Sequence, residues 1–167
     1  MAKSFRGQYS QKVDAKGRVA FPPAFRRVLE SCDPDWKEGL RPQVVIVYGD
    51  HRRNYLQCFS IEAIDEVDDA IAKMPRGSTE RRELEHLMTG QALPTDLDKD
   101  GRLVLPPKLL QKIGLDDQAF FIASGDTFQI WKPSTYKSDK LAKSESWRNE
   151  RPDDFDILSL LNSTDEE

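Results

Sequence analysis

The stretch Asp14–Leu29 reads DAKGRVAFPPAFRRVL, and 84 positions later Asp98–Ile113 reads DKDGRLVLPPKLLQKI. Asp14, Gly17, Arg18, Pro22 and Pro23 recur without a gap as Asp98, Gly101, Arg102, Pro106 and Pro107. Val19, Phe21, Phe25 and Leu29 return as Leu103, Leu105, Leu109 and Ile113, so the apolar positions coincide too. A turn, an alternating run and a proline stop kept in one frame mark an internal duplication. In each copy Asp suits the first turn position, where its carboxylate accepts a backbone N–H two residues on, and Gly supplies the positive φ of a tight hairpin. The weak alternation of Arg18–Phe21 and Arg102–Leu105 predicts strands. Pro-Pro ends each ladder because proline has no N–H to donate, and it is tolerated in a first helical turn for the same reason. Short helices are therefore expected over Ala24–Glu30 and Lys108–Ile113, the second stopped by Gly114.

Strands over Tyr9–Val13 and Leu93–Asp98 are expected to lead into the two turns. The apolar runs Gln43–Tyr48 and Ala119–Ala123 each reach a Gly-Asp pair, at Gly49-Asp50 and Gly125-Asp126, and further strands follow at Tyr55–Phe59 and Thr127–Trp131. The Gly-Asp pairs stand 76 apart and the last strands 72 apart. The first copy therefore holds extra residues in the Ser31–Pro42 connection and at the His51–Asn54 tip, where loop-closure cost grows slowly with length. Between the copies, Ile61, Ile64, Val67, Ile71 and Met74 recur at helical spacing up to Pro75-Arg76-Gly77. Ser78 or Thr79 can then cap a second helix with Leu84, Leu87 and Met88 on one face. The expected class is mainly β with helices (α+β): a first unit at 5–60, a helical connection at 61–90, a second unit at 91–134, and a helical, acidic tail at 135–167.

The 167 residues are 38% hydrophobic and 32% charged, which suits a chain with a core and a well-solvated surface. No apolar run approaches the roughly 18 residues of a membrane span, and the start lacks the apolar stretch of a secretory signal. Cys32 and Cys58 have no metal-ligand spacing and form no disulfide framework, so a reducing cytoplasm is the simplest compartment. The net charge of −4 averages unlike regions: residues 1–30 carry +5 and residues 150–167 carry −6. That asymmetry suits a basic working surface beside an acidic tail, whose apolar island Phe155–Leu161 is expected to be mobile or to dock on a partner. His51 and His86 are the only histidines and neither sits in a catalytic motif; no phosphate loop, nucleophile elbow or metal spacing is present. No enzyme, cofactor, metal or small-molecule substrate is expected.

At the segment Asp14-x-Lys16-Gly17-Arg18 followed by Pro22-x-x-Phe25-Arg26, the chain resembles the MraZ family of bacterial transcriptional regulators. Phe5-Arg6-Gly7 near the start, and Asp98-x-x-Gly101-Arg102 with Pro106-Pro107 and Leu109, support the same resemblance, which the motifs carry over about residues 5 to 140. It implies two tandem AbrB-like swapped-hairpin units forming a pseudo-twofold double β-barrel, assembled into a ring-like homo-oligomer. It also implies binding of double-stranded DNA at repeated short motifs upstream of the division and cell-wall (dcw) gene cluster, including the regulator's own gene, in the cytoplasm at the nucleoid. The chain departs from the pattern at Asp100, where Lys is expected, and in the first-unit insertions. The acidic tail beyond about residue 145 lies outside the resemblance and is assigned no family role.

Sequence-specific recognition needs donors at base edges and cations at phosphates. An Arg can bond guanine O6 and N7 together, which makes Arg18 and Arg102 the base-reading candidates. Lys16, Lys12, Arg6 and Lys99 are expected at phosphates, which position the protein without specifying sequence. Asp14, Gly17, Asp98, Gly101, Pro22 and Pro106 are expected to shape the turns and stops. Arg18 and Arg102 could equally brace their turns through Asp14 and Asp98, a role compatible with recognition. Arg26 is expected on the short helix, paired with a carboxylate. The rival function is a protein-interaction module of antitoxin type whose tail covers a partner, although such antitoxins usually carry one unit. Tail deletion distinguishes the two.

Overall fold

The computed structural model describes residues 2–164, so the Asp165-Glu166-Glu167 end of the acidic run lies outside the described residues. In chain order the elements are β1 (Gln8–Lys12), β2 (Arg18–Ala20), α1 (Pro23–Ser31), β3 (Gln43–Val47), β4 (Tyr55–Phe59), α2 (Ile61–Ala72), α3 (Thr79–Glu85), β5 (Ala92–Asp96), β6 (Arg102–Val104), α4 (Pro107–Ile113), β7 (Gln118–Ser124) and β8 (Thr127–Trp131). After Pro133 a second compact unit begins, containing α5 (Ala142–Asn149) and a 3-10 stretch, Ile157–Thr164. The fold is mixed α+β, as the periodicities imply.

Local chemistry explains most boundaries. Pro22 and Pro106 are the N-caps of α1 and α4, with Pro23 and Pro107 at their first helical positions. Gly114 ends α4 in the left-handed conformation, at φ +65°. Ser60 and Ser78 cap α2 and α3, accepting from the N–H of Ala63 and Arg81. Arg81 is buried at 9% exposure and donates from Nη1 to the carbonyls of Ala72 (3.3 Å) and Met74 (2.6 Å), closing the end of α2. A π-helical turn, His86–Gly90, continues α3, a departure from the regular helix expected there.

The strands form one six-stranded sheet, ordered β1-β7-β8-β4-β3-β5, and one two-stranded ladder, β2-β6. β1 and β5 are the edges of an open order, so the expected closed barrel is not formed by the hydrogen bonding of the described residues. The turn after β1 is not a full hairpin either. Only Val13 and Val19 bridge, and the partner of β2 is β6. Each leading strand pairs with the other copy's hairpin: β1 runs antiparallel to β7, and β5 to β3. In the β2·β6 ladder Val19 faces Leu103, its own counterpart 84 positions on. The Phe21 N–H donates to the Gly101 carbonyl (3.4 Å), and the Leu105 N–H donates to the Gly17 carbonyl (2.8 Å). In the β4·β8 ladder Gln57 faces Gln129, again counterparts, 72 apart.

The two copies share one core. Val19, Phe21, Phe25 and Leu29 lie in the same buried cluster as Leu103, Leu105, Leu109 and Ile113. Phe25 meets Phe5 and Tyr9 edge-on at 5.3 Å each, so the Phe-Arg-Gly opening is tied to α1 by aromatic packing. A smaller cluster on the other side of the sheet packs Val45, Val47 and Phe59 under α2, with Leu87 and Met88 beside it. Gly17, at φ +76°, is where the shared core meets the first turn: a Cβ there would collide with the Leu105 carbonyl oxygen. Gly17→Ala is expected to cost about 1–3 kcal/mol from strain at that conformation, with added cost from the backbone clash. Gly77→Ala, whose Cβ would meet nothing within 4 Å, should stay near neutral. Urea unfolding midpoints of the two variants check this.

Candidate nucleic-acid interface

Both turns are built on one aspartate each, by the same bonds. In the first, the Gly17 N–H donates to the Asp14 carbonyl (3.0 Å), and the Asp14 N–H donates to the Arg18 carbonyl (3.1 Å). Asp14 Oδ1 accepts from the backbone N–H groups of Lys16 and Arg18, both at 2.9 Å, and Oδ2 accepts from Arg18 Nε at 2.6 Å. In the second, Asp98 Oδ1 accepts from the Asp100 and Arg102 N–H groups at 2.9 Å, and Oδ2 from Arg102 Nε at 3.1 Å. One carboxylate thus shapes the turn with one oxygen and orients the arginine with the other.

The copies differ in what remains of each guanidinium. Arg18 is held through Nε alone, so Nη1 and Nη2 have no hydrogen-bond partner among the described residues. Arg102 also gives Nη2 to Asp100 Oδ2 at 3.0 Å, so the departure at position 100 occupies the second arginine. Arg18 is one-third exposed, at 33%, and can present two parallel donors to an acceptor pair. The Arg102 fork is partly spent inside its own turn.

Lys16 and Lys99 sit exposed at the turn tips, and Lys12 is exposed at the end of edge strand β1, next to the first turn. Arg6 is exposed too, but at the opposite end of β1. The flanking Phe5 N–H and Gly7 carbonyl bond Gly125 and Ala123, so Arg6 lies beside the β7–β8 turn. The structure therefore gathers Lys12, Lys16 and Arg18 at one end of the β2·β6 ladder and Lys99 with Arg102 at the other, while Arg6 joins neither group. Arg26 pairs with Glu30 at 3.3 Å, and its Nη1 lies over Gly101. The approach of Arg26 to Gly101 carries no local sequence signal, because the two meet only through the fold.

The remaining candidates fall outside these turns. His51 and His86 are exposed and line an open cavity of about 550 Å³ with Asp50, Glu83, Leu87 and Gln91. Among the described residues no cluster of His, Cys, Asp and Glu is arranged to hold a metal ion. The His51-Arg52-Arg53 tip is anchored by Lys112 of α4, whose Nζ donates to the carbonyls of Asp50 (2.9 Å) and Arg53 (3.1 Å). Cys32 and Cys58 are buried free thiols, and burial pushes the Cys58 thiol far up, which keeps it protonated. No helix among the described residues is long and apolar enough to cross a membrane.

An α+β chain with an aspartate-clamped arginine at each of two similar turns is the class of protein that this geometry defines. Comparison with known proteins gives the family. Residues 88–156 match a family model described as "MraZ protein, putative antitoxin-like". The chain is 60% identical over 161 residues to a protein of Ruegeria sp. (strain TM1040) and 57% identical over 161 residues to one of Ruegeria pomeroyi; each alignment covers 96% of both chains. It is 32% identical to a protein of Rickettsia bellii over 142 residues, 85% of this chain and 89% of that one. Each of the three carries the name "Transcriptional regulator MraZ". The chain belongs to the MraZ family. The likeness extends further than the motifs do: the family match runs to residue 156, so the tail past residue 145 is not outside the family.

The turns carry a pH signature. The Asp14 carboxyl is held below the usual aspartate range, first by the Arg18 N–H, against partial desolvation, and then by the Arg18 guanidinium and the Lys16 N–H. Asp98 is lowered in the same way, led by the Arg102 N–H. A carboxyl depressed in the fold contributes stability that is complete above its unfolded pKa of about 3.9 and is lost as pH falls through the lower folded value. The melting-temperature gap between wild type and Asp14→Asn is therefore expected to be constant near neutrality and to close below about pH 4. A gap unchanged down to the acid limit of the fold would contradict the clamp.

Proposed function

We propose that this chain is a sequence-specific DNA-binding transcriptional regulator that reads duplex DNA chiefly through the first turn. The observation that carries the proposal is Arg18: Asp14 holds its Nε while both terminal nitrogens remain available on an exposed turn. That is the donor pair that a guanine edge needs. Lys16 and Lys12 beside it supply phosphate contacts, with Lys99 doing the same at the second turn and Arg6 at a more distant point of the duplex. Arg102 reads with a smaller share, because Asp100 engages it. Asp14, Gly17, Asp98 and Gly101, with the stops at Pro22 and Pro106, are the structural frame.

The counterpart pairings Val19–Leu103 and Gln57–Gln129 support two swapped-hairpin units related by a pseudo-twofold axis, the intrachain equivalent of a symmetric dimer. The unit boundaries read from the sequence, 5–60, 61–90, 91–134 and 135–167, form part of the same proposal. The family resemblance supports repeated motifs upstream of the chain's own gene in the dcw cluster as the target, bound by a ring-like homo-oligomer in the cytoplasm at the nucleoid. Several subunits on spaced repeats raise avidity without new contacts, which suits a chain with few cations per turn. The proposal assigns no catalytic role, cofactor, membrane association or small-molecule substrate.

Fluorescence anisotropy on the DNA upstream of the gene, against a scrambled duplex, tests it. Arg18→Ala is expected to lose about 1–3 kcal/mol of discrimination per contacted base pair, roughly 5- to 150-fold, while retaining salt-sensitive binding. Wild-type discrimination in Arg18→Ala would refute the assignment.

A further inference from the structure

We propose that Arg26, carried by the first copy's helix α1, is a DNA phosphate contact of the second copy's turn; the proposal rests on the DNA-binding function above. Its Nη1 stands 3.0 Å from where a Cβ would sit on Gly101, so the guanidinium lies against a turn 75 residues away in sequence. It is presented as the turn arginines are. Glu30 Oε2 accepts from Arg26 Nε at 3.3 Å, as Asp14 and Asp98 accept from Arg18 and Arg102 Nε. Neither terminal nitrogen of Arg26 has a hydrogen-bond partner among the described residues, and its side chain is 38% exposed.

Comparison of the two turns gives Arg26 its meaning. Leu110 is the counterpart of Arg26, 84 positions on, and it occupies the corresponding place at the first turn, with Cδ1 3.3 Å from the Cβ position of Gly17. The first turn has Lys16 at its tip and a leucine behind it. The second has Lys99 and Asp100 at its tip and an arginine behind it. Asp100 stands where the first turn has Lys16, and the other copy's helix brings a further cation up to that second turn. Arg26 shares its groove with Trp36, Glu38, Arg41, Asp98 and Lys99, so the insertion Ser31–Pro42 forms the far wall. A planar guanidinium set on a helix behind the turn, with both terminal nitrogens available, fits a phosphate diester, which it can bond through two N–H groups. Each reading point is then a composite of one copy's turn and the other copy's helix.

Salt titrations of full-length protein on the upstream duplex test this. Arg26→Ala is expected to lower the slope of log affinity against log salt by ~0.9 per engaged subunit, leaving melting temperature and operator-to-scrambled preference as in wild type. Arg26→Lys, which keeps the charge, should restore most of the slope. An unchanged slope in Arg26→Ala, with or without a lower melting temperature, makes Arg26 a brace for α1 and overturns the proposal. Wild-type protein that binds neither duplex removes the DNA-binding function itself. Wild-type binding lost in Arg18→Ala but untouched in Arg26→Ala removes only the present inference.

Discussion

The antiparallel β2·β6 ladder is the constraint on which the rest of the molecule depends. It pairs three residues from each copy, too few for a stable sheet without support. It holds because Val19, Leu103 and Leu105 are fully buried and Phe21 nearly so, each such side chain contributing about 1.5–3 kcal/mol on removal from water. The ladder is extended at both ends by the carbonyls of Gly17 and Gly101, the glycines of the two turns. The turns are thus not loops hung on a scaffold. Their backbone is part of the central ladder, and any movement of a turn relative to the core must break a hydrogen bond to the other copy.

That coupling lets a chain of net negative charge keep a local cationic edge. Asp14 and Asp98 neutralise part of each turn, and Asp14, which holds Arg18 through Nε alone, leaves both terminal nitrogens of that guanidinium available. The same arrangement at Glu30 and Arg26 extends it to a helix. Differences between the two similar segments then separate the two ends of the ladder. The first turn has Lys16 at its tip and Leu110 behind it, while the second has Lys99 and Asp100 at its tip and Arg26 behind it.

Much of the architecture was legible because it rests on residues with strong local conformational preferences. The Asp-x-x-Gly turns, the Pro-Pro helix starts, the Gly114 stop and the strands Tyr55–Phe59 and Thr127–Trp131 follow from side chains acting on their own backbone. Other features depend on partners distant in sequence. The period-2 pattern of Gln8–Lys12 does not reveal β7 as its partner, and the open strand order cannot be read from strand lengths. The π-helical turn at His86–Gly90 leaves the apolar spacing nearly intact, and Arg81 gives no sign of closing α2 until the chain folds back. Motif matching also underestimated the family likeness, because the acidic tail aligns with relatives without carrying a recognisable turn or stop.

By itself, the sequence determined that two segments 84 positions apart share a pattern, where each one turns and stops, and which arginine and aspartate share each turn. Those are matters of spacing within a few residues, where covalent connection sets the geometry. Only the tertiary structure decided that each copy completes the other and that a helix arginine from one copy lies on the turn of its twin. The physical reason is burial. A three-residue strand and a seven- or nine-residue helix cannot cover their own apolar faces, so the copies interpenetrate, and that packing brings Arg26 and Gly101 together across 75 residues of chain.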